Sequence, residues 1–401
     1  MAPLSVPEAL ARILDGVRAT EMEEVDLFGG RGRILASTLT AQFSQPPFDA
    51  SAMDGYAVRD ADVATLPARL TVIGEAAAGH PFAGTVAEGQ AVRIFTGAPV
   101  PEGADAIVIQ ENTDREGDVV VVREGKPDPA HVRKRGGDFT KGDELLPAGL
   151  KLAPRHLSLA AAMGYGKLPV MRRPVVAILA TGDELVEPGT PVAAGQIVCS
   201  NPYGIAAMAE AVGAEARLIG IARDTVDSLT EKIATAEGAD ILVTIGGASV
   251  GDHDLVAKVL QANGMTLDFW KIAMRPGKPL IFGHRGAQRV IGVPGNPVSS
   301  LICTRVFVVP LIRKLLGLDT GTDALMTARL THAIEKNGPR QHYMRARLMT
   351  GENGVMEVRA AGSQDSSLLE PLSAANCLIV RPADAEALPE GASVNVLRID
   401  F

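Results

Sequence analysis

Basic runs are missing from this sequence. Its 401 residues carry 39 Lys and Arg against 47 Asp and Glu, a formal charge of −8. A nucleic-acid binder would show a clustered basic footprint, so that class is set aside. Cysteine is also scarce. Cys199, Cys303 and Cys377 lie far apart, with no CxxC pair and no Cys/His spacing that suits zinc. This excludes a disulfide scaffold and fits a reducing cytoplasm. Aromatic residues make up 4%, with one Trp, so cores must be built from Val, Leu, Ile and Ala. The histidines do not cluster, and no Ser/His/Asp set emerges. The N-terminus, MAPLSVPEALARILDGVRA, lacks the basic start and apolar run of a signal peptide. Ser5 and Glu8 are instead spaced as a capping box ahead of a short amphipathic helix. The most apolar later stretch, residues 300–316, contains Arg305, Arg313 and Lys314 and is too charged for an ordinary membrane span.

What is present is a change of pattern along the chain. At about 100–200 residues per domain, two to four domains are expected. Residues 1–51 read as a helix, a Gly-rich connection and an extended segment ending in the structured loop QPPFDASAMDGYAV. Residues 52–131 show short β-branched runs (TVIGEA, AVRIFTG, AIVIQEN, DVVVVREG) separated by Gly, Pro and Asp. Residues 132–170 turn basic, then Gly-rich, then helical. They are expected to pack back against residues 1–51, making the β segment an insertion in a discontinuous N-terminal domain. From 171 to 317 apolar strands alternate with helices, which predicts a mainly parallel sheet covered on both faces. Residues 318–401 return to short strands, read as a small barrel or sandwich. The fold class is therefore multidomain α/β plus β.

In open α/β sheets ligands bind beyond the carboxyl ends of the strands. Three such ends carry polar, Gly-bearing loops. Thr181-Gly182-Asp183-Glu184 follows VVAILA. Gly246-Gly247-Ala248-Ser249-Val250-Gly251-Asp252 follows DILVTI. Pro294-Gly295-Asn296-Pro297-Val298-Ser299 follows RVIGV. The second is either a phosphate cradle of backbone N–H groups, with Ser249 as a donor and Asp252 and Asp254 as magnesium ligands, or a tight turn capped by Asp252. In the third, Asn296 suits an N-cap and Pro297 the first helical position, giving either an ordinary helix start or free N–H groups as an anion site. Arg275 and Lys278 in MRPGKP add fixed positive charge just upstream. At an effective dielectric near 20, unit charges about 4 Å apart interact by ~4 kcal/mol. Two near cations therefore outweigh a screened global charge. Asp183 and Glu184 read as metal or substrate ligands, or as a turn cap and a solvated side chain. Asp49 and Asp54 carry the same ambiguity. By spacing alone, Arg340 and Arg345 are surface charges or anion ligands.

Taken together, the stretches PPFDASAMDGYAV, RIFTGAPVPEGADAIVIQE, RGGDFTKGD, ATGDELVEPG, IGGASVGDHD, KIAMRPGKP and GVPGNPVSS resemble the molybdopterin molybdenumtransferase family, bacterial relatives of the gephyrin E domain. They occur in family order. The resemblance implies four domains and an elongated homodimer, with the cleft between the α/β domain of one subunit and the inserted β domain of the other. It implies insertion of molybdenum from molybdate into adenylylated molybdopterin with release of AMP and with Mg2+ as cofactor. The molybdopterin adenylyltransferase and acceptor molybdoenzymes are candidate partners.

By matching position, Glu184, Asp224, Asp252 and Asp254 would bind the metal. Asp54, Asp183, Glu184, Lys271 and Lys278 would serve catalysis. Thr96, Asp138, Gly246, Gly247, Ser249, Gly251, Arg275, Pro294, Pro297, Ser299, Arg340, Arg345 and Ser366 would contact pterin, nucleotide or oxyanion. Arg275 stands where some relatives have Lys, which keeps the charge but replaces a point with a planar fork. QDSSLLEPLSAAN has Glu-Pro where small hydroxyl residues belong in the family pattern.

Overall fold

A computed structural model describes residues 3–247, 255–318, 325–351 and 354–399. The chain forms two compact units, one of residues 1–23 and 171–401, the other of residues 24–170. No described helix is long and apolar enough to cross a membrane.

The first unit is built on a six-stranded sheet of β1 (Val175–Thr181), β2 (Glu215–Ala222), β3 (Ile241–Ile245), β4 (Thr266–Lys271), β5 (Pro279–Arg285) and β6 (Gln288–Val293). The spatial order is β2-β1-β3-β6-β5-β4. The first four run parallel, and β5 is antiparallel to both of its neighbours. All five residues of β3 are buried, as are the last six of β1, so their unbroken apolar runs are covered on both faces. Ala177, Leu179, Leu242 and Val290 point to one face and pack with Leu229 and Ile233 of α2 (Val226–Ala234) and with Val256 and Val259 of α3 (Leu255–Ala262). Helix α1 (Asn201–Val212) comes between β1 and β2. Thr225 caps α2 by accepting the Ser228 N–H, as its place before an amphipathic run requires.

The sequence reading omits β4. Its burial is irregular and it carries Asp268 and Lys271, so neither period 2 nor an apolar run marks this edge strand. The long final helix is also interrupted. Pro297–Cys303 (α4) passes through a π-type turn, Thr304–Val308, into Val309–Leu315 (α5). Pro310 has no N–H for the carbonyl one turn back, a usual cause of such an interruption. The capped helix Val6–Leu14 packs within this unit. Arg12 pairs with Asp268 at 2.8 Å, and Leu4 N–H donates to Lys271 O.

The C-terminal strands close into a barrel. Gln341–Thr350 pairs with Met356–Ala360, which runs parallel to Met326–Leu330. That strand pairs with Ser393–Arg398, then Cys377–Arg381, which returns to Gln341–Thr350. Met274–Arg275, from the α/β region, adds alongside Gln341 and His342.

In the second unit a six-stranded sheet has the order 106–109, 55–58, 90–94, 68–76, 119–122, 113–116. Gly55–Val58 is wholly buried and paired on both sides, although the sequence reads that stretch as the end of a loop. Short antiparallel ladders join Leu39–Thr40 to Glu144–Leu146 and Ala50–Ser51 to Val132–Arg133. Leu35, Leu39, Phe139, Leu152 and Met163 share one core there.

Candidate functional site

The carboxyl ends of β2, β1, β3 and β6 lie side by side, and a cleft of about 1290 Å³ opens over them. From β1 come Thr181, Gly182 and Glu184. From β2 comes Asp224, from β3 Gly246 and Gly247, and from β6 Pro294, Gly295, Asn296 and Pro297. Ser367 and Leu369 of the C-terminal region add a wall. Strand order reverses between β1 and β3, so the loops diverge there and leave space between them.

Local hydrogen bonds set the carboxylates. Thr181 Oγ1 donates to Asp224 Oδ1 at 2.7 Å. Asp183 accepts the Asp224 N–H at 3.3 Å, and its carbonyl accepts from Arg223 at 3.0 Å. Asp183 is thus bound to the neighbouring loop and does not line the cleft, whereas Glu184 and Asp224 do. Glu184 folds back over Gly182, where a Cβ would lie 2.5 Å from its Oε2. At the next loop, Gly247 has φ +62, and a Cβ there would stand 2.2 Å from Val256 Cγ2. Only glycine lets this backbone run so close to α3.

Ser249, Gly251, Asp252 and Asp254 lie outside the described residues. Among the described residues no group of three His, Cys, Asp or Glu side chains is placed to hold a metal. Two hard carboxylates facing one cleft nevertheless suit magnesium, which keeps several waters and takes one or two protein carboxylates besides phosphate oxygens.

The third loop corrects the sequence reading. Asn296 occupies the N-cap position of α4 with Pro297 next, but its side chain makes no capping bond. Its Nδ2 donates instead to Ser366 Oγ at 3.0 Å, and Val298 N–H donates to Ser366 O at 3.1 Å. That N–H is therefore spent on the protein, and Ser299 is buried. Asn201 Nδ2 ties the same loop to α1 through Gly295 O at 2.7 Å.

The expected cations are spread around this region. Lys278 and Arg275 are exposed, on a segment ending at cleft-lining Pro279. Gly277 packs on α4, where a Cβ would lie 2.5 Å from Cys303 Sγ. The Lys271 ammonium sits 4.1 Å from the Trp270 ring centroid. Arg345 is neither surface charge nor open anion ligand at its terminal nitrogens. It is 1% exposed, and Nη1 and Nη2 donate to the carbonyls of Leu368, Ser363 and Asp365. Half-buried Arg340 lies beside the barrel, its carbonyl accepting from Asn337. His342 faces Arg275 across one ladder and Arg381 across the other. Burial first, then Arg275, Arg340, Arg345 and Arg381, push its pKa down to about 4, so it is neutral at pH 7. Nothing in the sequence marks that row, because it is made by pairing distant strands.

Within the second unit, Asp54 Oδ1 accepts both the N–H and the hydroxyl of Thr96, at 2.8 and 2.7 Å. Those bonds, the backbone one foremost, lower its pKa. Asp49 is taken up by Lys134 and by Arg135 N–H. Asp138 is exposed, its N–H donating to Gln45 O.

The thiols supply a first prediction. All three cysteines are buried. Burial raises Cys303 and Cys377, and burial with Glu187 raises Cys199, a residue of the cleft wall, to about 11. Few thiolates exist at pH 8, so a disulfide reagent is expected to label none in the native protein within minutes and three in guanidinium. Rapid native labelling of Cys199, read by mass spectrometry, would refute this.

The chain matches three family models: MoeA N-terminal region (domain I and II) over residues 4–164, "Probable molybdopterin binding domain" over 177–314, and MoeA C-terminal region (domain IV) over 327–399. It is 38% identical to a molybdopterin molybdenumtransferase of Nostoc sp. across 96% of this chain and 90% of that protein. It is 35% identical to the one of Haemophilus influenzae across 98% of each. A crystal structure of the molybdopterin biosynthesis MoeA protein from Pyrococcus horikoshii superposes with a TM-score of 0.87 at 31% identity, covering 100% of both chains. A crystal structure of a molybdopterin biosynthesis MoeA protein from Pyrococcus horikoshii OT3 gives 0.78 at 29%, covering 98% of this chain and 99% of that one. The chain belongs to the molybdopterin molybdenumtransferase family of enzymes.

Proposed function

We propose that this protein inserts molybdenum from molybdate into adenylylated molybdopterin, releasing AMP and the molybdenum cofactor. The observation that carries the reading is the single cleft into which four adjacent strand ends bring Glu184, Asp224 and the Gly246-Gly247 turn. Names of the relatives point the same way.

The Gly246-Gly247 backbone gives a phosphate close access without side-chain obstruction. Glu184 and Asp224, joined by Asp252 and Asp254, would hold magnesium, which when bound supplies positive charge to pyrophosphate oxygens. Arg275 and Lys278 draw in molybdate, with Lys271 and Ser299 supporting their segment and the Ser366 hydroxyl as a further donor. The two dithiolene thiols then pass their protons to a molybdate oxygen, which leaves as water as both sulfurs bond molybdenum, and a second water cleaves the adenylyl phosphate to release AMP. Preorganised charge supplies most of the rate. The domain limits 1–51 with 132–170, 52–131, 171–317 and 318–401 belong to this reading. So does a homodimer in which Asp54, Thr96 and Asp138 serve the second copy's cleft, in the cytoplasm, between an adenylyltransferase and acceptor enzymes.

The test supplies purified protein with adenylylated molybdopterin, magnesium and molybdate. AMP release and reconstitution of an apo-molybdoenzyme are followed. Lys278→Ala should raise the molybdate concentration for half-maximal rate about tenfold, since losing one near charge removes ~1–2 kcal/mol at a solvated site. No AMP from the parent protein would end the proposal. An unchanged molybdate dependence in the variant would remove Lys278 from it.

A further inference from the structure

Asn at a helix N-cap ordinarily accepts an N–H from the first turn, a bond worth about 1 kcal/mol. Asn296 stands at that position and does not make it. Its amide donates across to Ser366 Oγ, seventy residues along the chain. The adjacent Val298 N–H bonds to Ser366 O, so one residue of the C-terminal region is held at two points by the start of α4.

The rest of that loop is fixed from the barrel side. Gln364 exchanges bonds with the Arg345 backbone in both directions, at 2.9 and 3.0 Å. The Ser367 hydroxyl donates to Asp365 at 2.8 Å. The Ser366 hydroxyl differs. Its oxygen accepts the Asn296 amide, which directs its own hydrogen away from Asn296. Asn296, one partner of this contact, and Ser367, next along the chain from the other, both line the cleft, and Ser366 is half-buried beside them.

We infer that Asn296 is a positioning residue for molybdate insertion: by donating to Ser366 Oγ it turns the Ser366 hydroxyl into a donor aimed at an oxyanion in the cleft. A capping role is given up for this. The inference rests on the proposed function and on Ser366 serving the oxyanion.

The test compares Asn296→Ser, Asn296→Asp, Ser366→Ala and the Asn296→Ser/Ser366→Ala double variant. Serine at 296 is a good N-cap, so folding is retained, but it is too short to reach Ser366. Aspartate would accept from the Ser366 hydroxyl and withdraw it from the cleft. Molybdate binding is measured by calorimetry, and KM for molybdate and for the pterin, with kcat, by AMP release.

Asn296→Ser should raise the molybdate Kd and KM three- to tenfold, with the pterin KM within twofold. Asn296→Asp should match Ser366→Ala, and the double variant should be no worse than Ser366→Ala alone. Additive effects, or equal rises in both KM values, would overturn the inference. If Ser366→Ala alters molybdate affinity while Asn296→Ser and Asn296→Asp do not, the inference fails and the proposed function stands. If the parent protein neither binds molybdate nor releases AMP, the proposed function fails first.

Discussion

Gly247→Ala is expected to lower kcat/KM for AMP release about 100-fold. At φ +62 an L side chain costs ~1–2 kcal/mol. The added methyl would also stand 2.2 Å from Val256 Cγ2. Val256 cannot swing aside, because it is 2% exposed and packed with Leu179, Leu242 and Val259. Overpacking of this kind costs ~1–3 kcal/mol, so a total loss of about 2–5 kcal/mol is expected. With Val256 fixed, Gly247 is the residue that must move. A misplacement near 1 Å in a positioning loop is worth about 100-fold in rate. Adding Val256→Ala should restore part of the stability by removing the overlap, yet not all of it, since the backbone strain stays. Activity of Gly247→Ala within twofold of the parent would show that this turn does not touch the substrate.

The turn itself is legible in the sequence. Two glycines after an unbroken apolar strand leave few readings, and the same logic located the loops after β1 and β6. The β2 end was harder. This edge strand is buried mainly at its last residue, so its pattern is weak, and Asp224 was reached only through the family resemblance. Gly55–Val58 was missed because its four residues follow a loop of Pro, Asp and Ser with no flanking signal. Its burial comes from strands 90–94 and 106–109, far along the chain. For Asn296 the position was correct and the partner was not. Cap preference is local, whereas the bond to Ser366 depends on where the barrel docks on α4. Arg345 shows the same limit more sharply. Its spacing fits a surface strand, and only closure of the barrel encloses it.

Replacing Arg345 tests that closure. One view holds that removing a buried charge is harmless, since its desolvation cost disappears with it. Burial does lower the Arg345 pKa, so some of that cost is present. The view applies when all polar partners are removed together. Here the partners are the backbone carbonyls of Ser363, Asp365 and Leu368, at 2.8–2.9 Å, which no side-chain substitution removes. Each charge-assisted bond is worth about 1.5–3 kcal/mol, and a stranded carbonyl costs ~1–3. Arg345→Met, which refills most of the volume, should therefore still lose about 3–5 kcal/mol, read as a lower urea midpoint with an unchanged slope. Arg345→Lys should recover less than half, because one ammonium cannot fork to three carbonyls held in different directions. The loop those carbonyls belong to carries Ser366 and brings Ser367 and Leu369 to the cleft, so the molybdate KM should rise in the same variants. A urea midpoint equal to the parent's in Arg345→Met would mean that these three bonds contribute nothing net, and that the loop is held by the Gln364 bonds to the strand backbone and by α4.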